Sequence, residues 1–389
     1  MMARAFLSIC LLISALSLNT KCQTAKAGQI DKGKLFGGIE IGSEGIKAAA
    51  IRVSDAGQGY DLEVVFTESS FMALVQNNNG MFRTEAVKAT AQEVWKLDTK
   101  MQQQFKVPTE QIYIIGTSDL RAYNLEELIK EVRDMTGKTM TFLELEADVR
   151  LTIVGTIPRR YREGTTWFDN RSLSVLIDVS ADNTKSGYQQ VRQPVIGNPY
   201  YDYVVLSVPK GTVNFTNEVN QQVQENDDLK KFALTAKKLS EDSLRTSLRN
   251  EIESRPGLAN RKKVYLSGGI VWALATLLHP EDRRPFVPIT VNDINTFYNR
   301  AVNNPQALLQ PDLSQIRDAG LRKDVETDLK TVRSIFSAKS LVAGAEILRT
   351  LASECNFQGE GKRILFARFS NLSLILSYVR SRAENEPQP

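Results

Sequence analysis

Along the chain, the spacing of hydrophobic and polar positions switches between two periods. Short apolar or alternating runs predict strands over residues 35–41, 48–53, 61–66, 111–115, 139–145, 174–178, 202–208, 263–267 and 363–367, because neighbouring side chains of a strand face opposite sides. The stretches between them repeat at the helical period. One helix opens at Thr84 as a candidate N-cap and gathers Val87, Ala91, Val94 and Met101 on one face. Another carries Leu125, Leu128, Ile129, Val132 and Met135 and stops at Gly137. Such alternation predicts an α/β protein.

The order of the elements adds a second inference. Three strands open the body, followed by helix, strand, helix and strand; a second set begins near Ser174 and again runs strands first, helices after. A repeated order predicts a duplicated architecture, mixed sheets flanked by helices with a central cleft between the halves. The charged, turn-rich segment 159–171 (RRYREGTTWFDNR) is expected to be the hinge, and the polar tail 384–389 to fray.

The longest apolar run lies at the start. Residues 6–18 (FLSICLLISALSL) form an uncharged stretch of 13, preceded by Arg4 and followed by Ala25-Lys26-Ala27 as an A-x-A cleavage site. This is the pattern of a signal peptide over residues 1–27, and it predicts an exported protein of the periplasm or cell envelope. Cys22 stands in the position of a lipid-modified cysteine, but Asn19, Thr20 and Lys21 before it argue against a lipid anchor. No later stretch reaches 18 apolar residues, so no transmembrane segment is expected in the mature chain.

Composition changes the picture in two places. The chain has 49 basic and 45 acidic residues, but Arg4, Lys21 and Lys26 belong to the leader; without them the balance is 46 against 45. The body is close to neutral, which gives no support for a nucleic-acid-binding surface. Of the three cysteines only Cys355 lies in the body, so a chain cut after Ala27 has neither an intrachain disulfide nor a cysteine metal site. The single histidine, His279, is expected at a surface or a helix end. The cluster Tyr200-Tyr201-Asp202-Tyr203 reads as an aromatic strand and turn, or as a contact surface.

Three turns carry candidate chemistry. Residues 37–45 (GGIEIGSEG) place Glu40 inside a strand and Gly42 and Ser43 in the turn after it; such a turn can offer backbone N–H groups to a phosphate or be an ordinary hairpin. Asp178 ends the apolar strand of VLIDVSADNT, at a sheet edge where α/β folds hold ligands, and Ser180, Asp182, Asn183 and Thr184 follow it. Ser267-Gly268-Gly269 links a strand to a helix, whose first N–H groups suit a phosphate. None of the three fits a Walker A or dinucleotide fingerprint.

In this order and on this duplicated layout, the turns resemble those of the acetate kinase, sugar kinase, Hsp70 and actin superfamily. Within it the chain resembles the exopolyphosphatase and guanosine pentaphosphate phosphatase family, Ppx/GppA, over nearly all of residues 36–380. The telling segment is residues 114–124 (IIGTSDLRAYN), similar to that family's strand and Thr-x-x-x-Arg-x-x-x-Asn turn; residues 145–151 with Asp148, 210–216, the Ser267-Gly268-Gly269 turn and 341–345 support it. The resemblance implies a two-domain actin-like ATPase (ribonuclease H-like) fold, with actin-like domains over 34–168 and 169–383. It also implies a Mg²⁺-assisted phosphoanhydride hydrolase. Asp148, Arg121 and Glu40 would then be catalytic, and Asp178 and Glu40 would face the metal. Gly42, Ser43, Thr117, Ser118, Asn183, Thr184, Lys185, Gly268 and Gly269 would bind phosphate.

The departures from the family pattern fall on the chemistry. Where the family's second loop reads Asp-x-Gly-Gly-Gly-Ser-Thr-Glu, this chain has Asp178-Val179-Ser180-Ala181-Asp182-Asn183-Thr184-Lys185. Its glycines are gone, and Lys185 stands in place of the Glu that resembles the water-activating base; an ammonium cannot accept that proton. Ala147 and Asp148 stand where the family has a Glu-Glu pair, Asn371 to Ile375 replaces a Gly-Leu-Arg-Glu-Gly run, and Ser337 and Lys339 occupy Arg and Asp positions. The expectation is a weakened or inactive phosphatase that binds a phosphate-rich ligand (polyphosphate or nucleotide) or a protein partner. The alternatives are an active hydrolase, with Asp148, Glu40 or Asp178 as base, and a structural component of an envelope assembly. Arg121 paired to a carboxylate would favour the last.

Overall fold

The structure, a computed structural model, describes residues 33–43, 45–55, 60–71, 74, 80–121, 124–163, 166–193, 200–224 and 228–385. The expected leader with Cys10 and Cys22, the turn residue Glu44, Ala122 and Tyr123 of the telling segment, and the tail after residue 385 lie outside these residues. The chain forms two compact units, one of Met1–Glu144 with Leu374–Pro389 and one of Leu145–Ser373.

In the first unit, β1 (Lys34–Gly42), β2 (Gly45–Asp55) and β3 (Tyr60–Phe71) form an antiparallel meander, and β4 (Ile112–Gly116) and β5 (Met140–Phe142) add in parallel on the other side of β1. The sheet order is β3-β2-β1-β4-β5. β1 is central and covered on both faces, which is why it is apolar almost throughout rather than alternating. Helix Thr84–Phe105 buries Val87, Ala91, Val94 and Met101 as expected, although Arg83 rather than Thr84 takes the N-cap position. Helix Leu125–Thr136 ends at Gly137 in the left-handed conformation, with Leu128 and Val132 buried and Met135 on the exposed side.

The second unit starts earlier than the strand pattern implied. Helix Leu145–Thr156 packs on the second sheet, so it and the segment after it belong there rather than before a boundary at 168. The expected hinge is a hairpin of β6 (Arg160–Glu163) and β7 (Thr166–Asp169) within this unit. Arg171 fixes it by donating to the carbonyls of Val154 and Ile157 at the end of the helix. Conversely, helix Ser373–Asn385 has most of its length in the first unit, where the Tyr378 hydroxyl donates to Thr141 at 3.2 Å.

The main sheet repeats the first one. β8 (Ser174–Val179), β9 (Thr184–Arg192) and β10 (Tyr200–Val208) form an antiparallel meander, and β11 (Lys263–Ser267) pairs in parallel with β8. β12 (Phe286–Pro288) is an added antiparallel edge on β13 (Arg363–Ala367), which is parallel to β11. Without that edge, the order β10-β9-β8-β11-β13 matches the first sheet strand for strand. This duplicated arrangement is the actin-like, ribonuclease H-like fold.

Helix Gly269–Leu278 (GIVWALATLL) is apolar on nearly every side because it lies inside the second core, crossed at its start by Gly344 of helix Ala338–Glu354. Among the described residues, no helix is long and apolar enough to cross a membrane.

Candidate functional site

In the first unit, the sheet brings the β1–β2 turn beside the end of β4. Thr117 N–H donates to the Ile41 carbonyl at 3.0 Å, extending the parallel pairing by one residue, and the Ser43 carbonyl accepts from Leu74 N–H. A Cβ added to Gly42 would lie 3.7 Å from Thr117 Oγ1. That hydroxyl is buried and has no hydrogen-bond partner among the described residues. Ser118, beside it, is also buried.

The charged candidates of this unit are engaged with neighbours. Glu40 is buried on β1 and accepts from Lys47 Nζ at 2.8 Å. The tight turn dictates this pair, because Glu40 and Lys47 are cross-strand partners in the β1–β2 register. Arg121 reaches Glu144 at 3.1 Å in an ion pair exposed at both ends. Asn124 is buried and holds Phe82, accepting from its N–H and donating to its carbonyl.

In the second unit the candidates converge on one small cavity. Helix Leu145–Thr156 lays Val149 and Ile153 on β9 at Gly187. Asp148, in the helix's first turn, thereby comes over Lys185, two residues back on the same face of the strand. Lys185 Nζ lies 2.9 Å from Asp148 Oδ2, and both side chains are more than nine-tenths buried. Asp178 is the cross-strand partner of Lys185 and the parallel neighbour of Ser267, whose hydroxyl donates to its Oδ1. Asp148, Val149, Thr152, Leu176, Asp178 and Lys185 line a cavity of about 10 Å³, room for a single water at most.

The turn between β8 and β9 is closed on the protein itself. Ser180 N–H donates to the Asn183 carbonyl, and the Ser180 hydroxyl donates to the same carbonyl and to Asn183 Oδ1. Helix Thr212–Gln222 caps itself on this turn: Thr212 N–H donates to the Ser180 carbonyl and Val213 N–H to that of Ala181. Thr184 is buried and donates to the Lys210 carbonyl at 2.7 Å.

The β11 turn is different. Gly268 has φ +101°, and a Cβ there would lie 2.1 Å from the Val179 carbonyl oxygen, so only glycine fits between the ends of β8 and β11. It leads into Gly269, exposed at the start of its helix. The first intrahelical bond here runs from Trp272 N–H to the Gly268 carbonyl, so the N–H groups of Gly269, Ile270 and Val271 have no acceptor within the helix.

No family model matches the chain, and no curated protein matches it. Solved structures do. A Ppx/GppA family member from Aquifex aeolicus superposes with a TM-score of 0.61 at 16% identity, covering 91% of this chain and 99% of its own. The chain has the Ppx/GppA fold. An exopolyphosphatase from Cytophaga hutchinsonii gives a TM-score of 0.61 at 12% identity, covering 90% of this chain and 98% of its own. An exopolyphosphatase-like protein gives 0.58 at 14%, covering 90% and 99%.

Within the Ppx/GppA fold, the candidates divide into two groups. Asp148, Asp178 and Lys185 come together, as do Gly42, Ser43 and Thr117 in the other unit. Asn183 instead bonds within its own turn, Thr184 donates to the Lys210 carbonyl, and Lys185 is turned inward. The partners missed from sequence are Lys47, Glu144, Thr152 and Thr212. Hairpin register could have found Lys47. Glu144 lies 23 residues from Arg121 with no pattern joining them.

Proposed function

We propose that this chain is an exported protein of the Ppx/GppA type that has given up hydrolysis and holds a phosphate-rich ligand. The buried ion pair between Lys185 and Asp148 carries the reading. A general base must have a free lone pair within reach of the attacking water. At the position where the resemblance implies a Glu stands an ammonium, and it also engages one oxygen of the nearest carboxylate. Loss of a general base slows such reactions by about 10² to 10⁴.

What favours a phosphate-rich ligand over a purely structural role is the survival of two turns. Gly268 and Gly269 keep a helix N-terminus exposed, and the buried Thr117 hydroxyl lacks a partner beside Gly42. A phosphate chain fits the exported location of the leader reading better than a nucleotide made in the cytoplasm. The ion pair of Arg121 with Glu144 is the pairing expected of the structural alternative, but it is exposed at both ends, where such a pair contributes little and opposes ligand binding little.

The test is to incubate end-labelled polyphosphate of defined length with the purified protein and Mg²⁺, then read retention and chain length from the same sample. Retained label of unchanged length is expected. Shortened chains contradict the loss of hydrolysis, and absence of retention contradicts the ligand.

A further inference from the structure

The resemblance implies a divalent cation facing Asp178 and Glu40; Glu40 is engaged with Lys47 Nζ at 2.8 Å, and the residues around Asp178 can be tested against the ion. A Mg²⁺ ion needs near-octahedral oxygen ligands and usually keeps several waters. Among the described residues, no three His, Cys, Asp or Glu side chains converge. Asp148 Oδ2 has the Lys185 ammonium at 2.9 Å, Asp178 Oδ1 accepts from Ser267, and the cavity between them holds one water at most. A dication there would sit beside a buried ammonium in a medium that screens poorly. The donor set does not fit the metal.

We infer that the Lys185 ammonium is a built-in replacement for the divalent cation, so that the second unit binds no metal at Asp148 and Asp178 and holds its ligand without one. Two carboxylates facing one small cavity in a folded core need a countercharge. In this chain β9 supplies it covalently. The register makes the substitution self-consistent: Lys185 is opposite Asp178 in the β8–β9 ladder, and the helix placed by Val149 at Gly187 brings Asp148 onto the Lys185 ammonium. One substitution at position 185 therefore both removes the residue implied as base and fills the place of the metal. This inference rests on the reading above for the location of the site, but its test reads metal binding rather than phosphate release, so the two fail separately.

The test is a Mn²⁺ titration followed by electron paramagnetic resonance, with the ion alone as probe. Wild type, Lys185→Gln, and Lys185→Gln combined with Asp148→Asn are compared. The wild type is expected to bind no Mn²⁺ that Asp178→Asn abolishes. Lys185→Gln is expected to bind at least about tenfold tighter, because it removes a positive charge that repels the ion from the two carboxylates. Adding Asp148→Asn returns the affinity to the wild-type level. A folded Lys185→Gln protein with no gain overturns the inference, and so does wild-type binding that Asp178→Asn removes. Should Lys185→Gln fail to fold, the melting temperature of the wild type with and without Mg²⁺ decides: no shift supports the inference, and a rise that Asp178→Asn removes contradicts it.

Discussion

Lys185 on β9 and Asp148 on the helix packed over it form a buried ion pair with an Nζ to Oδ2 distance of 2.9 Å. Taking both charges out of water is costly, and their attraction compensates only while both remain. The pair is therefore a device that fixes how helix and strand meet, and it ties up Asp148, expected to be catalytic, together with Lys185, expected to bind phosphate.

Removing one partner should leave the other charged and buried. Lys185→Met and Asp148→Leu are each expected to lower unfolding free energy by about 3–5 kcal/mol. The double variant should recover part of that loss, since apolar groups replace the buried pair while Asp178 alone still faces the cavity. Urea unfolding of all four proteins checks this, and additive losses would contradict the coupling.

The unpartnered hydroxyl of Thr117 gives a prediction with two readouts. Thr117→Val removes a buried polar atom that nothing in the described structure satisfies, so the ligand-free protein should be as stable as wild type or more stable by about 1 kcal/mol. If the hydroxyl awaits a phosphate oxygen, the same variant should retain less polyphosphate. Lost stability with unchanged retention would count against that role.

Gly155 lies near the end of helix Leu145–Thr156. Alanine usually stabilises a helix relative to glycine by about 0.5–1 kcal/mol. Here an added Cβ would fall 2.1 Å from the Ser373 carbonyl oxygen, an approach held by the hydrogen bond of Thr156 Oγ1 to Ser373 Oγ at 2.8 Å. The sign should reverse, with Gly155→Ala destabilising by about 1–3 kcal/mol in thermal or urea unfolding.

A pH effect is expected at Glu346. Burial pushes its carboxyl above the ordinary carboxylate range, and the neighbouring Arg349 guanidinium, 2.9 Å away, offsets this only in part. A folded-state value above the unfolded one means that the folded protein binds the proton more tightly. The resulting stability is present at low pH and is lost as pH rises through the folded-state value. Glu346→Gln should therefore gain on wild type as pH is raised from about 4 to about 7, measured as the difference in unfolding free energy. A difference that shrinks over that range would contradict the direction.

Much of this architecture was legible because burial and apolarity coincide. β1, β8, β11 and β13 are covered strands, and their apolar runs mark them. β9 (TKSGYQQVR) was not foreseen, although six of its nine positions are buried. Three of its buried polar side chains have partners, Thr184 with the Lys210 carbonyl, Lys185 with Asp148 and Ser186 with the Leu176 carbonyl, whereas the buried Gln189 Oε1 has none among the described residues. Hydrophobic periodicity cannot see a strand stabilised in this way.

The same limit governs the site. Asp178 was visible at the end of an apolar strand, and the Gly268–Gly269 turn by its glycines. That Lys185 points inward toward Asp148 depends on a helix and a strand 37 residues apart packing together, which no local pattern records. The assignment of residues 145–168 to the second unit was hidden for the same reason, because tertiary packing decided it.

The central claim, a Ppx/GppA fold without the hydrolytic step, is tested most directly by phosphate release from long-chain polyphosphate with Mg²⁺, for the wild type beside Asp148→Ala. The account predicts that both release phosphate at the rate of the protein-free control. Release by the wild type above that control would contradict it, and its loss in an Asp148→Ala protein shown to be folded would place the base beside Lys185.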